Sequence, residues 1–147
     1  MKLPFLRYLP GLGSPPVRQV VGGPGTPSAP AEAALHYLLA ELPELLLAAV
    51  LDLPTGQLLA TYAAERGYQP SLLAAPVAAV VQLLQQQSPP PEQPVEVLLT
   101  LASQLHLVRL RSGSQQVLFL AVGSHDTNLA LLRQLAENAV QLLETTS

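Results

Sequence analysis

Two stretches of this chain are apolar at every position a strand could offer. Val117-Leu118-Phe119-Leu120-Ala121-Val122 is one, and the strand Leu45–Leu53, as far as Asp52, is the other. Side chains of a strand alternate between its two faces. A strand with no polar face must therefore be covered on both sides, and both stretches belong at the centre of a sheet. The second has Leu45, Leu47, Ala49 and Leu51 on one face and Leu46, Ala48 and Val50 on the other.

The remaining strands arrange themselves around that pair. Asp52-Leu53-Pro54-Thr55-Gly56 is a turn, with Pro fixing φ and Gly free to take a positive φ. Gln57–Ala63 returns from it as a hairpin partner. Val95–Ala102, Leu105–Arg111 and Gln116–Val122 are separated by tight polar breaks, Ser103-Gln104 and Ser112-Gly113-Ser114. Val95, Val97, Leu99 and Leu101 share one face of the first of these, with Glu96 and Thr100 on the other, which suits an edge position. The expected sheet has five antiparallel strands in the spatial order second, first, fifth, fourth, third. Its outermost ribbon, 95–102, is long, apolar and free of Pro, an edge that invites pairing with another chain.

Three helices complete the pattern. Ser28 is a plausible N-cap with Pro30 in the first turn, and Leu35, Leu38, Leu39 and Leu42 recur at helical spacing until Pro43. A second helix lies within Ser71–Gln87, with Pro76 either kinking it or marking a later start. Leu73, Val77, Val80, Val81 and Leu84 read as its inward face. Ala74, Ala78, Gln82 and Gln85 read as an outward, uncharged contact face. The last helix follows Ser124–Asn128, capped by Asp126 or Thr127, with Leu132, Leu135, Ala136 and Ala139 on one side. Helices on both faces of one sheet make an α+β domain of order α-β-β-α-β-β-β-α.

Residues 1–30 contain seven Pro and five Gly and read as an arm, either a tail or a docking peptide, ahead of a domain spanning 31–147. Charged residues are only 12% of the chain against 49% hydrophobic, about half the usual charged share. That composition favours burial against a second copy or another protein. Every acid lies at or beyond Glu32, where ten acids face four Arg. No basic face exists to displace counterions from a nucleic acid. The uncharged run 67–91 is too broken by Pro and Gln for a membrane span. Interruptions at Pro4, Arg7 and Pro10 argue against a secretory signal, and a cytoplasmic location is expected.

Reactive chemistry is sparse. There is no Cys, and His36, His106 and His125 fall on different elements without metal-ligand spacing. Ser124-His125-Asp126 has triad residue types, but consecutive residues cannot converge as a triad requires. Neither Gly group in the arm is followed by the Lys-Ser/Thr of a phosphate loop. Arg109 and Arg111 fall two apart on one strand face and could form a small cationic strip for docking. No enzyme, cofactor or metal is expected.

The element order, the hairpin Ala48–Asp52 to Gly56–Ala60, and the step Asn128-Leu129-Ala130 opening the last helix resemble the roadblock / dynein light-chain family. Ala130 stands where that family usually has Gly. The resemblance implies dimers with a sheet continuous across the third strands and a layer made by the two second helices. Bacterial members similar to MglB use that layer to hold a Ras-like small GTPase and promote hydrolysis without supplying a catalytic side chain. Carried to this sequence, the dimer seam comprises Val95, Val97, Leu99 and Leu101, and the GTPase-facing layer Ala74, Ala78, Gln82 and Gln85. The alternative expectation is a self-assembling scaffold with no GTPase-linked role, built through the arm.

Overall fold

The computed structural model describes residues 19–23, 28–110, 115–125 and 127–144. Its order is β1 (Val21–Gly22), α1 (Ala29–Glu41), β2 (Leu45–Asp52), β3 (Gln57–Ala63), α2 (Pro70–Gln87), β4 (Glu96–Thr100), β5 (Gln104–Arg109), β6 (Gln116–Gly123) and α3 (Leu129–Leu142). A 3-10 turn, Pro90–Glu92, joins α2 to β4.

The six strands form one antiparallel sheet in the order β1-β3-β2-β6-β5-β4. The five strands expected from the sequence occur in their expected order, with β2 and β6 side by side at the centre. The expected count of five is corrected to six, because β1 adds a strand outside β3. Val21-Gly22-Gly23 carries no strand signal of its own. It pairs because Gly23 has no Cβ: one built there would lie 1.8 Å from the Leu58 carbonyl oxygen. The Gly23 N–H donates to Leu59 O at 3.0 Å.

Two clusters cover the two sheet faces. Under α1 and α3 lie Ala48, Val50, Leu107, Leu118, Leu120 and Val122, packed against Leu35, Leu38, Leu132, Leu135 and Ala136. Under α2 lie Leu47, Ala49, Leu51, Val108, Val117, Phe119 and Ala121, packed against Val81. Each fully buried Leu, Val or Phe contributes about 1.5–3 kcal/mol, which is why the central strands are apolar throughout.

Local chemistry fixes the connections. Ser28 Oγ accepts from Ala31 N at 3.3 Å and starts α1. In the β2–β3 turn, Thr55 Oγ1 donates to Asp52 Oδ2 at 2.7 Å, and Gly56 takes φ +72°. Asn128, rather than Asp126 or Thr127, caps α3 by accepting from Leu131 N at 3.2 Å. Asp126 itself lies outside the described residues. Asn138 Nδ2 donates to Tyr37 OH at 2.8 Å and ties α3 to α1. No helix among the described residues is long and apolar enough to cross a membrane.

Candidate functional site

The two faces of the sheet are unequally covered. Two helices pack on one, but α2 alone covers the other, and it lies over β2 and β3. The β5–β4 end of that face is left with a groove between helix and sheet. Leu73, Pro76, Val77 and Val80 of α2 form one wall, and Val97, Leu99 and His106 form the other.

The rotation of α2 differs from the sequence expectation. It runs through Pro76 from Pro70 without stopping. Ala74 and Ala78, read as outward, are half-buried and pack against the cluster on the sheet with Leu73 and Val77. Val81 is the most deeply buried of that set at 1% exposure, while Val80, read as inward, is 45% exposed. The inward arc is therefore centred on 74, 77, 78 and 81, and small alanines let the helix lie close to the sheet. Leu72 and Leu83 face solvent, 69% and 56% exposed. Gln82 is exposed at the margin, its Nε2 donating to Leu53 O at 3.5 Å. Gln85 is half-buried, and its carbonyl accepts from Gln93 Nε2 at 3.3 Å. Gln93 also donates to Ser88 O at 2.7 Å, closing the C-terminal end of α2. From Pro70 to Pro91 there is no charged residue, so the exposed face of α2 is wholly apolar or amide.

Strand β4 continues this surface to an open edge. Val95, Leu99 and Leu101 are about half exposed, while Val97 packs inward beneath α2. Leu110 N donates to Val95 O at 2.9 Å and Leu101 N to Gln104 O at 2.8 Å. In an antiparallel ladder the inward-bonded residues alternate. Glu96, Leu98 and Thr100 therefore turn their backbone N–H and C=O outward, and among the described residues no strand pairs with them there.

The charged residues nearby belong to the other face. Glu96 and Arg109 are cross-strand partners. Arg109 also pairs with Glu137 of α3, and Arg133 binds Glu96 at 2.9 Å. Arg109 is thus committed within the domain rather than free for docking as the sequence suggested, and Arg111 lies outside the described residues. His106 sits on the groove side, its Nε2 2.8 Å from Gln104 Oε1. Burial lowers its pKa from the ordinary histidine value. Among the described residues no group of His, Asp and Glu could hold a metal ion.

Neither a family model nor a curated protein sequence matches this chain, but solved structures do. The gliding protein MglB of Thermus thermophilus is 22% identical with a TM-score of 0.63, over 81% of this chain and 95% of that one. Myxococcus xanthus MglB is 19% identical with a TM-score of 0.62, over 71% and 78%. The Roadblock/LC7 domain from Streptomyces avermitilis is 15% identical with a TM-score of 0.59, over 82% and 94%. The chain has a roadblock fold of the MglB kind. Within that roadblock frame, the sequence located the edge strand and the uncharged helix. It missed the outward residues Leu72 and Leu83, for which the signal was the 74-77-78-81 spacing of the opposite arc.

Proposed function

We propose that this chain is a non-enzymatic regulator that dimerises through β4 and presents α2 to a Ras-like small GTPase, modulating its nucleotide cycle. The observation that carries the proposal is the asymmetry of the sheet's two edges. The β3 edge is blunted by β1 and by a bulge in the β2–β3 ladder between Val50 and Leu51. The β4 edge is straight, unpaired among the described residues and flanked by exposed Val95, Leu99 and Leu101. An edge of that kind is a template for another strand, and a two-fold copy supplies one.

In such a dimer the two β4 strands pair, extending the sheet across the seam of Val95, Val97, Leu99 and Leu101. The groove beside α2 is then filled by the α2 of the partner, burying Val80 and Pro76. Leu72, Ala79 and Leu83 remain outward, with Gln82 at their border, as an uncharged platform. Ala74 and Ala78 act beneath it as spacers that set its height above the sheet. The GTPase partner follows from the likeness to MglB and the roadblock family. One similar MglB, 22% identical, has a tetrameric arrangement, in keeping with self-association here.

The test mixes the purified chain with a Ras-like GTPase of the same organism, in its GDP form and with a non-hydrolysable GTP analogue. The expected result is a co-eluting complex in at least one nucleotide state and an altered rate of GTP turnover. Absence of a complex in both states overturns the reading.

A further inference from the structure

We propose that β1 is an edge cap that holds the assembly at two copies, by occupying in cis the β3 edge that would otherwise take the β3 of another copy. The inference rests on the proposed dimer through β4. It concerns the opposite side of the sheet, about four strand spacings away across β2, β6 and β5, or roughly 19 Å at about 4.8 Å each.

A dimer joined at β4 still has two outer edges, one β3 from each copy. Both lie in the same continuous sheet. If those edges were open, each dimer could add another by the same kind of pairing, and the sheet would extend without closing. The structure places a strand there instead. Val21 pairs with Thr61 and Gly22 with Ala60, and Gly23 N–H bonds Leu59 O at 3.0 Å. Alternation along the ladder makes Thr61 and Leu59 the residues that turn their backbone groups outward to β1. Those are the groups a second β3 would use.

The cap is short and fits only through glycine. With a Cβ at Gly23 placed 1.8 Å from Leu58 O, any other residue there forces β1 away from β3. Val20 anchors the segment against the cluster under α1, while Val21 is half exposed. So few contacts give a strand that opens easily on its own. Its advantage is tethering: only residues 24–28 separate Gly23 from α1. A short tether keeps the local concentration of β1 on the order of millimolar, so a free copy at micromolar concentration is outcompeted about a thousandfold.

The experiment compares the light-scattering mass of the full chain with those of Gly23→Val and Val21→Pro. The first clashes with Leu58, and the second removes the N–H that faces Thr61. Neither touches the core, and circular dichroism checks that both remain folded. Both are expected to at least double the wild-type mass, increasingly so at higher protein concentration. Adding Thr61→Pro to Gly23→Val removes the outward donor of β3 while leaving its bonds to β2, and is expected to restore the wild-type mass. Unchanged mass in both single variants overturns the proposal, as does growth that Thr61→Pro fails to reverse. A wild-type monomer overturns the β4 dimer instead, and the cap is then judged by the ratio of variant to wild-type mass.

Discussion

Glu96 and Arg109 stand opposite one another on β4 and β5, and together they fasten the sheet's open end to α3. The Glu96 carboxylate faces Arg109 Nη1 at 3.6 Å and takes Arg133 Nη2 at 2.9 Å. Arg109 reaches on to Glu137, and its own Nε is buried without a partner. The side chain of Arg109 is 22% exposed and that of Arg133 48%. Removing the more buried cation takes Arg109 from Glu137 and leaves Glu96 with Arg133 as its cation, whereas the Arg133 pair is more exposed and screened. Arg109→Ala is expected to cost about 1–2 kcal/mol and Arg133→Ala less than about 1 kcal/mol. Urea unfolding midpoints measure both, and negligible losses in both would mean that α3 is held there by packing alone.

His106 lies across from Leu99 in the β4–β5 ladder, with the apolar wall of α2 beside it. Burial lowers its pKa below the usual 6.5. The unfolded chain therefore binds this proton more readily than the folded one, and stability rises with pH across the interval between the two values. Above pH 6.5 the residue has no effect of this kind, and as the pH falls below 6.5 it favours unfolding. The difference in unfolding free energy between about pH 7.5 and about pH 5.5 is expected to shrink in His106→Gln, and denaturant titrations at the two pH values measure it. An unchanged difference would assign the pH dependence to other groups.

The sequence revealed what depends on whole strands and concealed what depends on single contacts. Val117–Val122 and Leu45–Leu51 could only be central, so the order of five strands followed from burial on both faces. The pairing of Val21 and Gly22 with β3 left no trace in periodicity, because it depends on a close approach that Gly23 permits. In α2 the large residues Val80 and Leu84 drew the inward face towards themselves. The helix settled instead on Ala74 and Ala78, where small side chains allow closer packing on β2 and β3. Leu73, Val77 and Val81 satisfy both readings, so the apolar pattern alone could not select the rotation. The edge strand of the candidate site was legible, since Val95, Leu99 and Leu101 have no apolar cover within a five-strand order. The outward residues of the helix were not.

Leu99 and Leu131 are almost equally exposed, 52% and 50%, on different faces of the domain. They separate the effect of a seam from the effect of surface hydrophobicity. Leu99→Arg places a charge beside His106 on the proposed dimer seam, while Leu131→Arg places one on the outer side of α3. Leu99→Arg is expected to halve the solution mass, and Leu131→Arg to leave it unchanged, by light scattering at micromolar concentration. A normal mass for Leu99→Arg would move the interface away from β4.

Leu72 and Leu83 are the large apolar side chains of α2 that no described part of the domain shelters, at 69% and 56% exposure. They lie on the arc opposite Ala74, Val77, Ala78 and Val81, away from the sheet. Changing them to Glu therefore leaves the core intact, and in the first turn at Leu72 a carboxylate suits the positive end of the helix dipole. A charge buried without a partner in an interface costs several kcal/mol. Leu72→Glu/Leu83→Glu is thus expected to weaken a GTPase complex at least a hundredfold while preserving mass and thermal stability. Ala74→Leu tests the same surface from beneath, because extra volume under α2 lifts the platform and overpacks the sheet contact, costing about 1–3 kcal/mol. If the surface double variant binds the GTPase as tightly as the wild type, the docking face lies elsewhere than on α2, whatever the mass of the assembly.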